Sequence, residues 1–381
     1  MERRKFIQTT GTFVVASTIL ACTSNTEANG EIRRDNYNDF QSPILKAIAI
    51  GLNAPSAHNT QAWKFKIISD KEMMLYVDET RLLPETDQPA RQIHISCGCF
   101  LEALSIGCSG IGYTAEISVL PEGSYSLTEI GKKPVALVKL SENTTSIKHP
   151  LFHAIFQRRT NRTVYEGNLI SVKEFDQLAS HSKTLHSKTK FINEPKEIDT
   201  YKSICGKAMD IEHHTLTKNE ETRKMFRFTV KEAATQRDGL TFEANGLNGI
   251  GLFLARLFTS NTTESWNNAS SVDKGLENFI NGLNSSKAFV MWTTPTNTLL
   301  DQINVGRDIY QFSLALTRNG LYMHPLNQAI QEYNEMTEIR SELDKVAGIS
   351  NSEKIQMIVR IGRAEKPFES YRRPVDKFLL K

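Results

Sequence analysis

Two stretches of this chain run through the same order of parts, and that order limits the folds open to it. In the first, a helix of small residues, Cys97–Gly110, ends by Gly112 and is followed by Tyr113, a turn at Pro121 and an apolar strand, Pro134–Leu140. In the second, a helix over Arg307–Thr317 ends at Asn319-Gly320, with glycine where a C′ residue belongs, and is followed by Tyr322, Pro325 and an apolar strand, Ile355–Ile361. Ser42–Leu52 reads as a helix with Ile44, Leu45, Ile48 and Leu52 on one face. Trp63–Ile68 alternates as a strand, and Met73–Val77 reads as its partner. Pro150–Gln157, Val172–Ala179 and Ile198–Asn219 read as helices. This mixture predicts an α+β chain duplicated internally, with halves over 43–145 and 146–381. The 381 residues, 39% of them hydrophobic, are ample for a sizeable core. Gly239–Asn284 reads as a mobile, lid-like insertion, and Arg363–Lys381 as a polar, extended tail.

Several functions are excluded early. A formal net charge of +3 leaves no basic excess for nucleic acid. Five cysteines are too few for a disulfide scaffold, and Cys97-Gly98-Cys99 reads as small residues packed in a helix. His149 and His153 have helical ligand spacing, but Pro150 lies between them and no third ligand is near, so no metal site is expected. Gly246-Leu247-Asn248-Gly249-Ile250-Gly251 follows no clear strand and fails as a dinucleotide loop. No interior stretch is long and apolar enough to span a bilayer. The N-terminus is an address: Arg3-Arg4 precede an uncharged, mostly apolar run, Thr12–Ala21, and Ile19-Leu20-Ala21-Cys22 resembles a bacterial lipobox. That resemblance implies a signal over 1–22 read by the twin-arginine translocase. It implies an exported protein, periplasmic or membrane-anchored, with lipidation at Cys22 or cleavage nearby, and a polar tether over 23–42.

The strongest local signal is Ala54-Pro55-Ser56-Ala57-His58-Asn59-Thr60-Gln61-Ala62-Trp63. Ser56, Asn59 and Gln61 offer donors and acceptors on a short loop that Pro55 stiffens. His58 suits either a ligand-facing or a capping role, and Trp63 suits the core. The run resembles the flavin-binding signature of the nitroreductase superfamily, and more closely its Acg-like branch, with Ala62 in place of the usual proline. Arg158-Arg159-Thr160-Asn161-Arg162 resembles the element by which that superfamily holds the FMN phosphate; guanidinium forks and a hydroxyl suit a phosphate dianion. In an ordinary nitroreductase the arginines precede the loop within one subunit. Here the first half has only the loop and the second only the arginines, which implies a pseudo-dimer with one composite site.

The tail Tyr371-Arg372-Arg373-Pro374-Val375-Asp376 resembles the ending of that branch, and Arg372 is the candidate for the phosphate. Gly320–Gln328 lies where members present backbone N–H groups to flavin N5, which puts Asn327 and Gln328 there. The resemblance implies non-covalent FMN and a nitroreductase fold. It implies two-electron reduction of nitro compounds, quinones or similar small-molecule acceptors, with NAD(P)H as one donor. Since the cofactor carries the chemistry, no side chain need be a nucleophile. A flavin-sequestering protein with little turnover is the alternative, because a long insertion suits a cover.

Overall fold

A computed structural model of the chain describes residues 33–143, 147–350 and 352–380. The expected signal over 1–22, including Cys22, and the tether as far as residue 32 lie outside the described residues. The first half contains helix α1 (Pro43–Gly51), strands β1 (Trp63–Ser69) and β2 (Glu72–Val77), helix α2 (Arg91–Cys108), and strands β3 (Tyr113–Val119) and β4 (Ala136–Glu142). The second opens with α3 (Ala154–Gln157), α4 (Val172–His181) and β5 (Lys188–Ile192). Helices α5 (Pro195–His214), α6 (Leu216–Lys224), α7 (Val230–Gln236), α8 (Gly249–Phe258), α9 (Thr263–Asn267) and α10 (Ala269–Asn284) follow. It closes with β6 (Ala288–Thr294), α11 (Leu299–Arg318), β7 (Tyr322–Pro325), α12 (Thr337–Ala347) and β8 (Lys354–Gly362).

Each half builds a four-stranded antiparallel sheet with the same strand order, β1-β2-β4-β3 and β5-β6-β8-β7. In both, a long helix follows the second strand. The fold is therefore α+β and internally duplicated, as the repeated order of parts predicts. The halves differ at one connection. β1 and β2 are joined by a tight turn at Asp70-Lys71, whereas residues 193–287 separate β5 from β6. The insertion is thus longer than the 239–284 segment marked in the sequence. It is also helical, because its polar residues cap helices: Thr262 accepts from the Ser265 N–H and Asn268 from the Ser271 N–H.

Helices α2 and α11 cross at the centre, each through its eighth residue, Gly98 and Gly306. A Cβ on Gly98 would lie 1.8 Å from the Ile303 carbonyl oxygen and 3.0 Å from Gly306 Cα; one on Gly306 would lie 2.1 Å from the Ile95 oxygen. Only glycine lets the backbones touch. The Cys99 thiol donates to the Gly306 carbonyl at 3.2 Å, so the C-G-C run serves packing. Strand β6 is buried along its whole length. Its alternate residues enter two cores: Val290 and Trp292 join the core that contains α2 and α11, while Phe289 and Met291 meet Ile198, Tyr201 and Ile204 of α5.

Other details depart from the sequence reading. Pro150–Gln157 is helical only over α3. Ile198–Asn219 breaks at Thr215, whose backbone is extended (φ −89°, ψ 102°). The tail is polar in composition, yet it buries Tyr371, Val375 and Phe378. Phe378 packs on Trp63 and Phe65, and the Leu380 N–H donates to the Phe65 carbonyl at 2.8 Å. The second half thereby extends the edge of the first sheet.

The helix crossing gives a test. Gly98→Ala should lower stability by about 1–3 kcal/mol through overpacking, read by chemical denaturation. Gly251→Ala, on the open helix α8 with its nearest neighbour 3.8 Å away, should leave stability unchanged or raise it by about 0.5–1 kcal/mol. Equal midpoints for the two variants would refute the close crossing.

Candidate functional site

The 54–63 loop is held under local strain. His58, Asn59 and Gln61 all adopt left-handed backbone angles (φ 44°, 54° and 52°), which cost non-glycine residues about 1–3 kcal/mol each. Surrounding bonds fix the shape. The Ala57 N–H donates to Ser96 Oγ at 3.2 Å, and the Gln61 N–H to Ser56 Oγ at 2.9 Å. Asn59 Nδ2 donates to the carbonyls of Gly239 and Tyr371, while its Oδ1 accepts from Arg372 Nη1 at 2.9 Å. Gln61 Nε2 donates to the Arg237 carbonyl and its Oε1 accepts from the Arg373 N–H, both at 2.9 Å. The side chains of Asn59 and Gln61, expected to offer groups to a ligand, are thus occupied by protein partners. They position the loop. Pro55, Ser56 and His58 remain half-buried along it.

A buried cationic cluster lies against this loop. Arg372 donates to the carbonyls of Leu52 and Ala54 as well as to Asn59. Burial, then the charges of Arg34, Arg158 and Arg159, hold its pKa well below the ordinary arginine value. Arg34 is lowered to about 9, first by burial and then by Arg159, although Glu369 pairs with it at 2.8 Å. Glu369 also pairs with Arg159 at 2.9 Å. Arg158 is 3% exposed, and its Nε and Nη1 have no hydrogen-bond partner. Burial lowers its pKa, and the groups that oppose the shift are the Tyr310 hydroxyl and the Cys99 thiol rather than a carboxylate. Among the described residues, Glu369 is the one carboxylate paired with any of these four arginines, and it reaches only Arg34 and Arg159. A buried guanidinium without a partner costs several kcal/mol unless an anion completes it, and the donors and charge of this cluster suit an anion.

The five-residue run 158–162 does not act as one unit. Arg159 joins the cluster, with Nη1 on the Phe156 and Arg158 carbonyls. Thr160 is half-buried and forms a parallel bridge with Met323 beside β7. Arg162 departs from the phosphate expectation. Its Nη1 donates to the Ala244 carbonyl at 2.9 Å, and burial lowers its pKa to about 10, with Arg360 adding to the shift. Burial and the charge of Arg162 push His58 down to about 4, so His58 is neutral at pH 7. His324 is likewise held uncharged, by burial first and then by Arg360, whose Nε–H donates to His324 Nδ1 at 3.1 Å. The loop of the first half therefore meets both groups of arginines from the second.

Asn327 is buried, with Nδ2 toward Gln92 and Oδ1 accepting from the Ile358 N–H, both at 3.4 Å; Gln328 Nε2 reaches Glu212 at the same distance. Their backbone N–H groups have no protein acceptor among the described residues. Sequence reasoning missed Arg34, Tyr310 and Glu369. Arg33-Arg34 had been assigned to the tether, but the Arg372 N–H donates to the Arg33 carbonyl at 2.9 Å and Arg34 Nη1 donates to Asn53 at 2.6 Å, so this arm is packed. A doubled arginine at the end of a polar segment was the available signal. Among the described residues, no group of three or more His, Cys, Asp or Glu could hold a metal ion.

No family profile matches the chain. An uncharacterized protein of Mycobacterium tuberculosis is 30% identical over 129 residues, covering 32% of this chain and 36% of that protein. A second protein of the same organism, named "Putative NAD(P)H nitroreductase acg", is 29% identical over 121 residues, covering 31% and 34%. The chain thus spans about a third of the length of these curated relatives. Among solved structures, the FMN and NADPH-dependent nitroreductase NfnB overlays at a TM-score of 0.38 and 11% identity, covering 60% of this chain and 96% of that one. A nitroreductase with bound FMN from Desulfitobacterium hafniense overlays at 0.35 and 12%, covering 61% and 97%. At these scores the overlays say nothing of chemistry.

Two measurements follow from this geometry. In ligand-free protein, Arg158→Met should melt at or above wild type, because it replaces an unpaired buried charge with an apolar chain. Inorganic phosphate should raise the melting temperature of wild type and leave that of the variant unmoved. The second concerns pH. His58 and His94 titrate near 4 in the folded chain, both through burial first, against an ordinary value of 6.5. As pH falls below 6.5 the unfolded chain takes up protons first, so stability drops toward pH 4. Asp87, pushed up to about 6 by burial, works in the opposite direction over the lower part of that window. The His contribution is therefore read by difference: His58→Gln should lose less stability than wild type between pH 6.5 and 4. Parallel profiles would rule out a neutral His58.

Proposed function

We propose that the chain is an FMN-binding oxidoreductase of the nitroreductase type, with one composite site built from both halves. The observation that carries this is the buried, partnerless Arg158 within the cluster of Arg34, Arg159 and Arg372. Its donor set fits a phosphate dianion: planar forks, a single competing carboxylate and little water. Arg158, Arg372 and Arg34 would hold the FMN phosphate. Thr160, Ser56, Pro55, neutral His58 and cationic Arg162 would face the rest of the cofactor, and the backbone N–H groups of Asn327 and Gln328 its reactive edge. When bound, FMN supplies two-electron transfer to a nitro compound, a quinone or a similar acceptor. The chain's own part is to bind, to orient and to exclude water. A positive Arg162 beside a neutral His58 favours added negative charge there. The similarity to proteins named as NAD(P)H nitroreductases supports NAD(P)H as a donor.

The twin-arginine start and lipobox-like segment support export through the twin-arginine translocase to the periplasm, with a lipid on Cys22 or cleavage nearby. One observation favours the second reading, a flavin-sequestering protein. The insertion packs down on the Arg162 segment: a Cβ on Gly246 would lie 3.1 Å from the Arg162 carbonyl carbon, and one on Gly282 2.9 Å from its oxygen.

Protein purified from its native compartment should show a flavin absorption spectrum. NAD(P)H should bleach it, and a nitroaromatic or quinone should restore it. A flavin that stays oxidised favours sequestration, and colourless protein that rejects added FMN ends both readings. Arg158→Ala should weaken FMN binding by about 1.5–3 kcal/mol, roughly 10- to 150-fold, measured by fluorescence titration.

A further inference from the structure

Helix α8 (Gly249–Phe258) stands out from every other element in what it shows to solvent. Its sequence, GIGLFLARLF, is apolar apart from Arg256, and none of its residues is buried. Ile250, Phe253, Leu254, Leu257 and Phe258 are between 44% and 67% exposed. Leu252 and Ala255 use the inner face, packing on the aromatic cluster of Phe226, Phe228, Leu240 and Phe242. The one charge, Arg256, is paired with Glu243. The outer face is therefore apolar, uncharged and aromatic-tipped. A helix apolar on every side is normally buried in protein or in lipid.

We propose that α8 is an interfacial helix that docks the folded body onto a lipid bilayer. Its geometry suits this occupant. Five large side chains at positions 250, 253, 254, 257 and 258 form a face two to three turns long, able to sink to the acyl boundary while the polar Ser260–Ser265 stretch stays in the headgroups. The N-terminal arm supports the same occupant. Only ten residues lie between Cys22 and Arg33, eleven steps that span at most about 35–40 Å at full stretch. A chain of this size has a diameter of about 50 Å, so an anchor at Cys22 keeps the body against the membrane. The arm is pinned to the insertion, just after α7, through the Asp35–Arg237 pair at 3.3 Å. The proposal is independent of the flavin reading and rests on the export reading only for the anchor.

The test uses the full chain with vesicles of phosphatidylcholine and phosphatidylglycerol that contain dibrominated lipid. Phe258→Trp on α8 is compared with Leu185→Trp, an equally exposed site outside the insertion (67% and 68%). The expected result is strong quenching of the tryptophan at 258 and little at 185. Ile250→Ser with Leu257→Ser, added to Phe258→Trp, should abolish it. No quenching at 258, or equal quenching at both sites, overturns the proposal. So does self-association in solution that the double serine variant removes, because the face then belongs to a second copy. Cys22→Ser, scored by release from the membrane fraction, tests the anchor separately.

Discussion

Arg372 holds the site together across the length of the chain. Its guanidinium reaches the carbonyls of Leu52 and Ala54 and the Asn59 side chain, more than 300 residues away in sequence. Those bonds fix the strained 56–61 loop and draw the C-terminal tail over the first half. They also place a buried positive charge beside Arg34 and Arg158. The bonds go to neutral acceptors and cancel none of that charge. The cluster therefore stays electrostatically frustrated, and among the described residues Glu369 is the one carboxylate paired with it. Frustration of this kind costs stability and persists where a ligand removes it.

Duplication explains why such a site can be built from separate halves. Two sheets of identical order, with helices touching through Gly98 and Gly306, form a pseudo-symmetric body whose two sides need not stay alike. One half keeps the loop and the other the arginines. The same freedom let the β5–β6 connection grow to residues 193–287 while its counterpart stayed a two-residue turn. The grown connection supplies a third small core of its own, and its backbone passes over Arg162.

The sequence made the fold class legible because glycine, tyrosine and proline punctuate both halves in the same order. It hid strands such as β3, whose residues alternate between exposed and half-buried at a sheet edge and give no apolar run. It hid α9 and α10 because Ser, Thr and Asn serve as helix caps in one context and loop residues in another, which only the fold decides. In the site, the motif residues were legible but their roles were not. Asn59 and Gln61 look like ligand groups because they are polar and close together. Their partners, the Tyr371 carbonyl and the Arg373 N–H, lie in the tail, and no local pattern announces them.

Arg34 makes the same point from the opposite side. In sequence it belongs to a polar arm; in the fold it is a member of the cationic cluster, tied to Asn53 and Glu369. The arm therefore joins the site to whatever precedes residue 33. Movement of the arm would leave Glu369 to Arg159 alone and take from Arg372 the largest of the like charges that act on it. On the proposed phosphate reading, anion affinity at the cluster and order in the arm would be linked: an anion that offsets the arginines would stabilise the packed arm, and a packed arm would add a fourth guanidinium to its shell.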